Sequence, residues 1–212
     1  MPIVPTCNVG ILVSGRGSNM LAIIRAIERG KIKGAKVRVV ISDRREAKAL
    51  ESARKHGIDA VWLDPAKAAT RLDYDRGLSA TLREKGVNPS SGLVVLAGFM
   101  RLLSPEFVDS FRGRIMNIHP SLLPSFQGLR AQRQALEHGA KVSGCTVHFV
   151  VPEVDSGPII LQSPVKVKEG DTEESLSERI LKEEHRIYPI AVKLFVEGSL
   201  KIKGRKVAIL KK

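Results

Sequence analysis

Asn117 and His119 stand two residues apart in "NIHPSLLP" (117–124), with Pro120 and Pro124 close behind. On an extended backbone, side chains two apart point to the same side, so an amide and an imidazole face one space. An amide N–H can donate to an oxyanion, and an imidazole exchanges a proton near neutral pH. Together they suit attack of an amine on a carbonyl: the tetrahedral intermediate needs its charge stabilised and the amine must lose a proton. The same spacing also fits two polar residues closing a strand, with His119 satisfied by backbone. The Leu123–Pro124 bond, in a tight loop, is expected to be cis.

Two further stretches carry polar groups of chemical interest. "PEVDSGPII" (152–160) puts Asp155 in a glycine-bounded loop. Beside His119 its carboxylate would orient the ring and favour the protonated form; the alternative is a turn aspartate ahead of Gly157 and Pro158. "SGRGSN" (14–19) joins an apolar run to a helical pattern, and its glycines let backbone approach a ligand at a helix N-terminus. It lacks the third glycine of a dinucleotide fingerprint and the Lys-Ser/Thr of a P-loop, so a phosphate monoester fits better than NAD or ATP. The alternative is a plain glycine turn with Ser18 as helix cap. His148 reads as a packed strand histidine, His56 and His138 as residues at helix ends, and His185 as an exposed or packed helical residue. No cluster has metal spacing and no Ser or Cys sits in a nucleophile elbow, so neither a metal nor a covalent enzyme intermediate is expected.

The elements that must position these groups follow from periodicity. Strands are predicted at 9–13, 35–42, 59–63, 92–98 and 114–119, alternating with helices at 18–30, 45–57, 70–86 and 104–113, the last with Ser104 as N-cap and Pro105 at the first position. That alternation argues an α/β fold: an open, doubly wound, mostly parallel sheet with helices on both faces. Asn117 and His119 then lie at the C-terminal end of a parallel strand, the edge where such sheets bind ligands. After residue 120 the pattern changes to a helix at 131–139, strands at 144–151 and 159–167, and a long helix at 171–198 interrupted near Pro189. Asp171 and Glu174 fit a capping box at its start. A basic hairpin turning at Gly204 closes the chain at about 199–212, and residues 1–212 read as one domain.

Composition narrows the partners. With 212 residues and 43% hydrophobic content the chain can bury one sizeable core. Cys7 and Cys145 match no metal spacing and suggest no disulfide, which suits a reducing compartment. The N-terminus lacks the features of a signal peptide and no apolar run is long enough to span a membrane, so a cytoplasmic location is expected. The net charge of +13 invites a nucleic-acid reading, but the basic residues are spread along the chain and aromatics make up only 4%. Anionic small-molecule substrates account for the charge as well.

Taken together, "LVSGRGSN", "VVLAGFMRLLSP", "NIHPSLLPSF", "GCTVHFV" and "VDSGPIILQ" resemble the phosphoribosylglycinamide formyltransferase family, in order from about residue 9 to about 198. The resemblance implies a formyltransferase fold and transfer of a formyl group from 10-formyltetrahydrofolate to the amine of phosphoribosylglycinamide in purine biosynthesis. It implies that Gly17, Ser18 and Asn19 hold the substrate phosphate and Glu184 the ribose hydroxyls. Asn117, His119 and Asp155 match the catalytic positions. Met100, Arg101, Leu102 and Leu103 match the segment lining the folate pocket, Val151, Pro152, Glu153, Val154 and Asp155 the loop over the pteridine, and Arg71 a residue near the folate tail. Two departures stand out: Leu181 where some relatives carry a polar residue, with Lys182 beside it, and Arg130 where many have His. No catalytic role is assigned to Arg130. The implied partners are the two small-molecule substrates, with no nucleic acid or membrane and a monomer or weak homodimer. A methionyl-tRNA formyltransferase is expected to carry a further C-terminal domain and a formyltetrahydrofolate hydrolase an N-terminal one. The chain is expected to have neither.

Overall fold

Strand β1 (Cys7–Val13) lies inside the sheet and carries the apolar run of residues 9–13, whose successive side chains point to opposite faces. Ile11 and Val13 enter a core built with α1 (Ser18–Glu28) and α6 (Glu173–Val196), while Leu12 enters a second core with α3 (Arg71–Glu84) and α4 (Pro105–Ser110). Both faces of the sheet are therefore covered, which is why residues 9–13 are apolar rather than alternating. In this computed structural model, residues 7–210 are described. Lys211 and Lys212, the last of the basic tail, and residues 1–6 lie outside them.

The remaining elements are β2 (Ala35–Ser42), α2 (Lys48–Lys55), β3 (Asp59–Trp62), β4 (Leu93–Leu96), β5 (Ile115–His119), α5 (Ala131–Glu137), β6 (Val142–Phe149), β7 (Ile159–Lys166), β8 (Leu200–Lys203) and β9 (Lys206–Ile209). They form one nine-stranded sheet in the order β3-β2-β1-β4-β5-β6-β7-β9-β8. The first five are parallel, as the alternating pattern predicts, and the order reverses about β1, the topology of a doubly wound sheet. From β5 onward the pairing becomes antiparallel through β6 and β7. The terminal hairpin turns at Gly204 and joins the sheet through a parallel pairing of Ile159 with Lys206.

Several local expectations are corrected. The long helix begins at Glu173, so its N-cap is Thr172 and the capping box pairs Thr172 with Ser175 rather than Asp171 with Glu174. Asp171 instead pairs with Arg179, which holds its carboxyl well below the usual carboxylate range. Pro189 does not interrupt this helix: α6 runs through it to Val196. A missing proline N–H costs one rung, and the buried stripe of Ile180, Ile187, Tyr188, Ala191 and Val192 on either side keeps the helix seated on the sheet. Ser104 does cap α4, accepting from Phe107 N–H, with Pro105 at the first position. The helix predicted from 45 begins at Lys48, and the ends of the other elements differ from prediction by a few residues. Cys7 and Cys145 are free thiols. Among the described residues no helix is long and apolar enough to cross a membrane.

Tyr188 ties α6 to the strands that carry the candidate site. Its hydroxyl is buried and lies 2.9 Å from the carbonyl oxygens of both Leu96, the last residue of β4, and Met116, the second residue of β5. One hydroxyl proton is shared between two acceptors. Tyr188→Phe leaves those carbonyls without it while keeping the ring, so it is expected to lower stability by about 1–2 kcal/mol. Urea unfolding with an unchanged m-value checks this.

Candidate active site

β5 ends at the point where the sheet changes from parallel to antiparallel, and Asn117 and His119 stand on its last three residues. The chain beyond His119 is locked by side chains from neighbouring strands. Thr146 Oγ1 accepts from Leu123 N–H at 3.0 Å and donates to Ser121 O at 2.7 Å. Gln162 Nε2 donates to Leu123 O at 2.9 Å. The Leu123–Pro124 bond is cis, as expected. This frame sets Phe126 O 2.8 Å from His119 Nε2.

Asp155 reaches His119 from the other side, with Oδ2 at 3.2 Å from Nδ1. The loop carrying Asp155 is pinned at both ends of the contact. Gly128 N–H donates to Asp155 Oδ2 at 2.9 Å, and Phe149 N–H donates to Pro158 O at 2.9 Å. Gly157 must be glycine here, because an added Cβ would sit 1.7 Å from Phe149 O. Asp155 itself adopts φ 49°, a left-handed conformation that Asp tolerates better than most residues.

His119 is buried, and its protonation differs from the sequence-based expectation. Burial pushes its pKa below the ordinary imidazole value; the Phe126 carbonyl and the Asp155 carboxylate oppose this without overcoming it. Nε2–H donates to Phe126 O, which leaves Nδ1 as the unprotonated atom facing Asp155. A proton arriving at Nδ1 would close a charge-assisted pair. Asp155 is itself held below its ordinary value: burial, the largest influence, raises it, but contacts from His148, Gly128 N–H and His119 together outweigh that.

These groups face a pocket of about 910 Å³ at the C-terminal edge of the strands. Met100, Arg101, Leu102 and Leu103 line one side, and Met100 and Leu102 are each 59% exposed, an unusual state for large apolar side chains. Arg101 stacks its guanidinium over the Tyr74 ring at 4.6 Å, and Arg71 lines the same pocket. Val151, Pro152, Glu153 and Val154, which lead to Asp155, line the pocket too. Glu184 also reaches the pocket, although it occupies the buried stripe of α6 where periodicity calls for an apolar residue. Burial raises its pKa, and Asn19 Nδ2 donates to it at 2.7 Å.

Gly17, Ser18 and Asn19 are not part of the pocket wall; Asn19 is linked to it through its hydrogen bond to the wall residue Glu184. Gly17, at φ 76°, is the N-cap of α1 and supplies no side-chain cap, so Ser18 is the first helical residue and not the cap. The first N–H groups of an 11-residue helix are thereby left to a ligand or water. The loop is joined to the pocket by Ser14: its Oγ donates to Asp43 Oδ1 at 2.6 Å and accepts from Met100 N–H at 2.9 Å.

The structure adds residues that sequence reasoning passed over. His148, read as a packing residue, is buried but lies between Asn117 and Asp155. Its alternating strand position gave the burial, and only the pairing of β6 with β5 shows what it meets. Arg16, also passed over, lines the pocket, and so do Arg130 and Leu181, the two departures from the family pattern. Among the described residues, no group of three His, Cys, Asp or Glu side chains is arranged to hold a metal ion.

Sheet order, the strand-end amide and imidazole, and the loop carboxylate define a family. Residues 7–192 match the family model described as formyl transferase, and the chain belongs to that family. It is 46% identical over 195 residues to the phosphoribosylglycinamide formyltransferase of Escherichia coli K12, covering 92% of this chain and 90% of that one. Its fold superposes with a TM-score of 0.93 on glycinamide ribonucleotide transformylase 1 from Symbiobacterium toebii, at 54% identity, covering 97% of this chain and 95% of that one. It is also 43% identical over 194 residues to the human trifunctional purine biosynthetic protein adenosine-3, covering 92% of this chain and 19% of that protein's length.

The balance at His119 is testable. Asp155→Asn removes the attraction that opposes burial, so the His119 pKa, already below the ordinary value, should fall further and the ring should lose its proton at lower pH. An NMR titration of the His119 ring resonances reads the midpoint. A midpoint that stays put or rises would show that the carboxylate does not act on the ring.

Proposed function

We propose that this chain transfers the formyl group of 10-formyltetrahydrofolate to the amine of 5'-phosphoribosylglycinamide, in de novo purine biosynthesis, by direct attack and without a metal. The observation that carries this reading is the His119–Asp155 pair beside Asn117 at one end of a large, partly apolar pocket. Similarity along nearly the whole length of the E. coli enzyme supports the choice of substrates.

The substrate amine nitrogen bonds to the formyl carbon, and the carbonyl π pair moves onto oxygen. Asn117 Nδ2–H donates to that oxyanion. The amine proton passes to the His119–Asp155 pair, whose Nδ1 is free to take it and gains a counter-ion when it does. Collapse of the intermediate breaks the bond from the formyl carbon to the folate nitrogen, which leaves with the proton that the His119–Asp155 pair took from the amine.

The surrounding residues fit the two substrates. Met100, Leu102 and Leu103 offer apolar cover suited to the folate ring system, and Val151 to Asp155, which line the same pocket, suit its pteridine end. Arg71 and Arg101 suit the carboxylates of its glutamate tail. Ser18 and Asn19, with the uncapped α1 N-terminus after Gly17, suit the phosphate. The Glu184 carboxylate suits the ribose hydroxyls. We assign the work to a single domain acting on small molecules, as a monomer or weak homodimer, in the cytoplasm.

An assay offering phosphoribosylglycinamide, initiator Met-tRNA or water as acceptor tests the reading. Formylation of phosphoribosylglycinamide alone is the expected result, and turnover with only one of the other two would overturn it. Asp155→Asn and His119→Ala are each expected to cut kcat about 100-fold or more while KM for both substrates changes far less. Kinetics of the two single variants and the double variant check this, the double losing less than the sum.

The phosphate assignment has its own test. Gly17→Val is unsuited to it, because a Cβ there would lie 2.6 Å from Ala49 Cβ on α2 and φ is 76°, so the fold would suffer first. Ser18→Ala is free of that clash. It is expected to raise KM for phosphoribosylglycinamide several-fold with KM for the folate unchanged. Steady-state kinetics varying each substrate in turn decides it.

A further inference from the structure

His148 is a buried, proton-bearing group to which the reaction above gives no part. β6 runs antiparallel to β5 with His148 directly opposite Asn117. Residues paired in this way send their side chains to the same face of the sheet. The imidazole therefore meets the carboxamide, with Nε2 at 3.3 Å from Asn117 Nδ2.

The hydrogen on this ring follows from its other contact. Nδ1 lies 2.9 Å from Phe149 O. A carbonyl oxygen only accepts, so Nδ1 carries the hydrogen and donates it. In the neutral ring Nε2 is then a bare lone pair, which calls for a donor. The only donor a carboxamide can offer is its NH2 end. The Phe149 carbonyl is itself fixed, since Gly157 packs directly against it and β6 continues its pairing to this residue. Asp155 Oδ1 lies farther from Nε2, at 3.6 Å, and would pair with this ring only when Nε2 also carries a proton.

A carboxamide has two faces of opposite character related by a half-turn about one bond. The formyl oxyanion requires the NH2 end, and a flipped amide would set its own oxygen against the developing negative charge. Nothing in β5 alone chooses between the two. We propose that His148 is a positioning residue: by accepting one N–H of Asn117 at Nε2 it holds the carboxamide in the orientation that leaves the second N–H for the oxyanion. The chain of contacts is Phe149 O, His148 Nδ1–H, His148 Nε2, Asn117 Nδ2–H. Each link fixes the polarity of the next. This inference rests on the formyl-transfer reading for the role of Asn117, while the orientation itself stands on the hydrogen-bond pattern.

Two substitutions separate positioning from packing. His148→Leu fills the space without an acceptor. His148→Gln can place a side-chain oxygen close to the position of Nε2 and restore one. The Leu variant is expected to lose about 10- to 100-fold in kcat, with KM for both substrates within about twofold, somewhat less than removal of an oxyanion donor outright. The Gln variant should recover most of that loss. In an Asn117→Ala background the Leu substitution should cost nothing more, because the group it positions is gone. Equal losses for Leu and Gln, or an undiminished loss in the Asn117→Ala background, would overturn the proposal.

A readout that needs no turnover keeps the test independent of the reaction. The two side-chain N–H resonances of any carboxamide are distinct, because its C–N bond is partly double; in ¹⁵N-labelled protein those of Asn117 should be separated more widely than in a free carboxamide, one of them shifted by its bond to His148. The separation should return to the ordinary carboxamide value in His148→Leu and stay wide in His148→Gln. An ordinary separation in the wild-type protein would refute the positioning role even if the enzyme is active. Should the wild-type protein transfer no formyl group to phosphoribosylglycinamide, the proposed function fails, and the resonances still decide whether His148 orients Asn117.

Discussion

The antiparallel return of β6 along β5 is the constraint on which the candidate site depends. A parallel strand ending in Asn117 and His119 presents two polar side chains at an open edge. Pairing it with β6 brings His148 opposite Asn117 and Thr146 opposite His119. Thr146 then holds the 121–123 backbone. The following β6–β7 connection carries Asp155 back to the same edge. One change in strand direction thus supplies the histidine, the loop anchor and the carboxylate together.

Burial sets the chemistry of that cluster. In water a carboxylate beside an imidazole would favour the charged ring. Here burial opposes the charged form more strongly than Asp155 supports it, and His119 rests below its ordinary pKa. A resting neutral imidazole is suited to receive a proton, whereas a resting imidazolium would already hold it. Asp155 stays below its ordinary pKa because its neighbours, the Gly128 N–H donor among them, outweigh the desolvation of its carboxyl. The asymmetry between base and counter-ion comes from the different partners each side chain meets.

α6 links the substrate pocket to the core. Its apolar stripe covers one face of the sheet, Tyr188 hydrogen-bonds the backbone of β4 and β5, and Glu184 interrupts the same stripe to reach the pocket. A buried carboxylate is costly unless it is paired or hydrogen-bonded. Asn19 from the N-terminus of α1 provides that bond. The two helices packed on one face therefore bring together the groups assigned to the phosphate and the ribose, although they are far apart in the chain.

Local pattern alone determined much of this protein. The alternation of apolar runs and amphipathic helices gave the parallel sheet, because strands buried on both faces must be apolar throughout, and Ser104–Pro105 marked the start of α4 through cap chemistry confined to four residues. Asn117 and His119 were legible as a pair because their alignment needs only the period of an extended strand. The capping of α6 was misplaced by one residue, since Asp171 and Thr172 are both good caps and the choice rests on where Arg179 draws Asp171. What tertiary structure alone decided is everything that depends on which groups meet across the sheet: the approach of Asp155 to His119, the downward shift of the His119 pKa, and the contact of His148 with Asn117. A linear pattern specifies which face a side chain occupies, but hydrogen-bond partners and desolvation depend on distances that only the paired and packed chain defines.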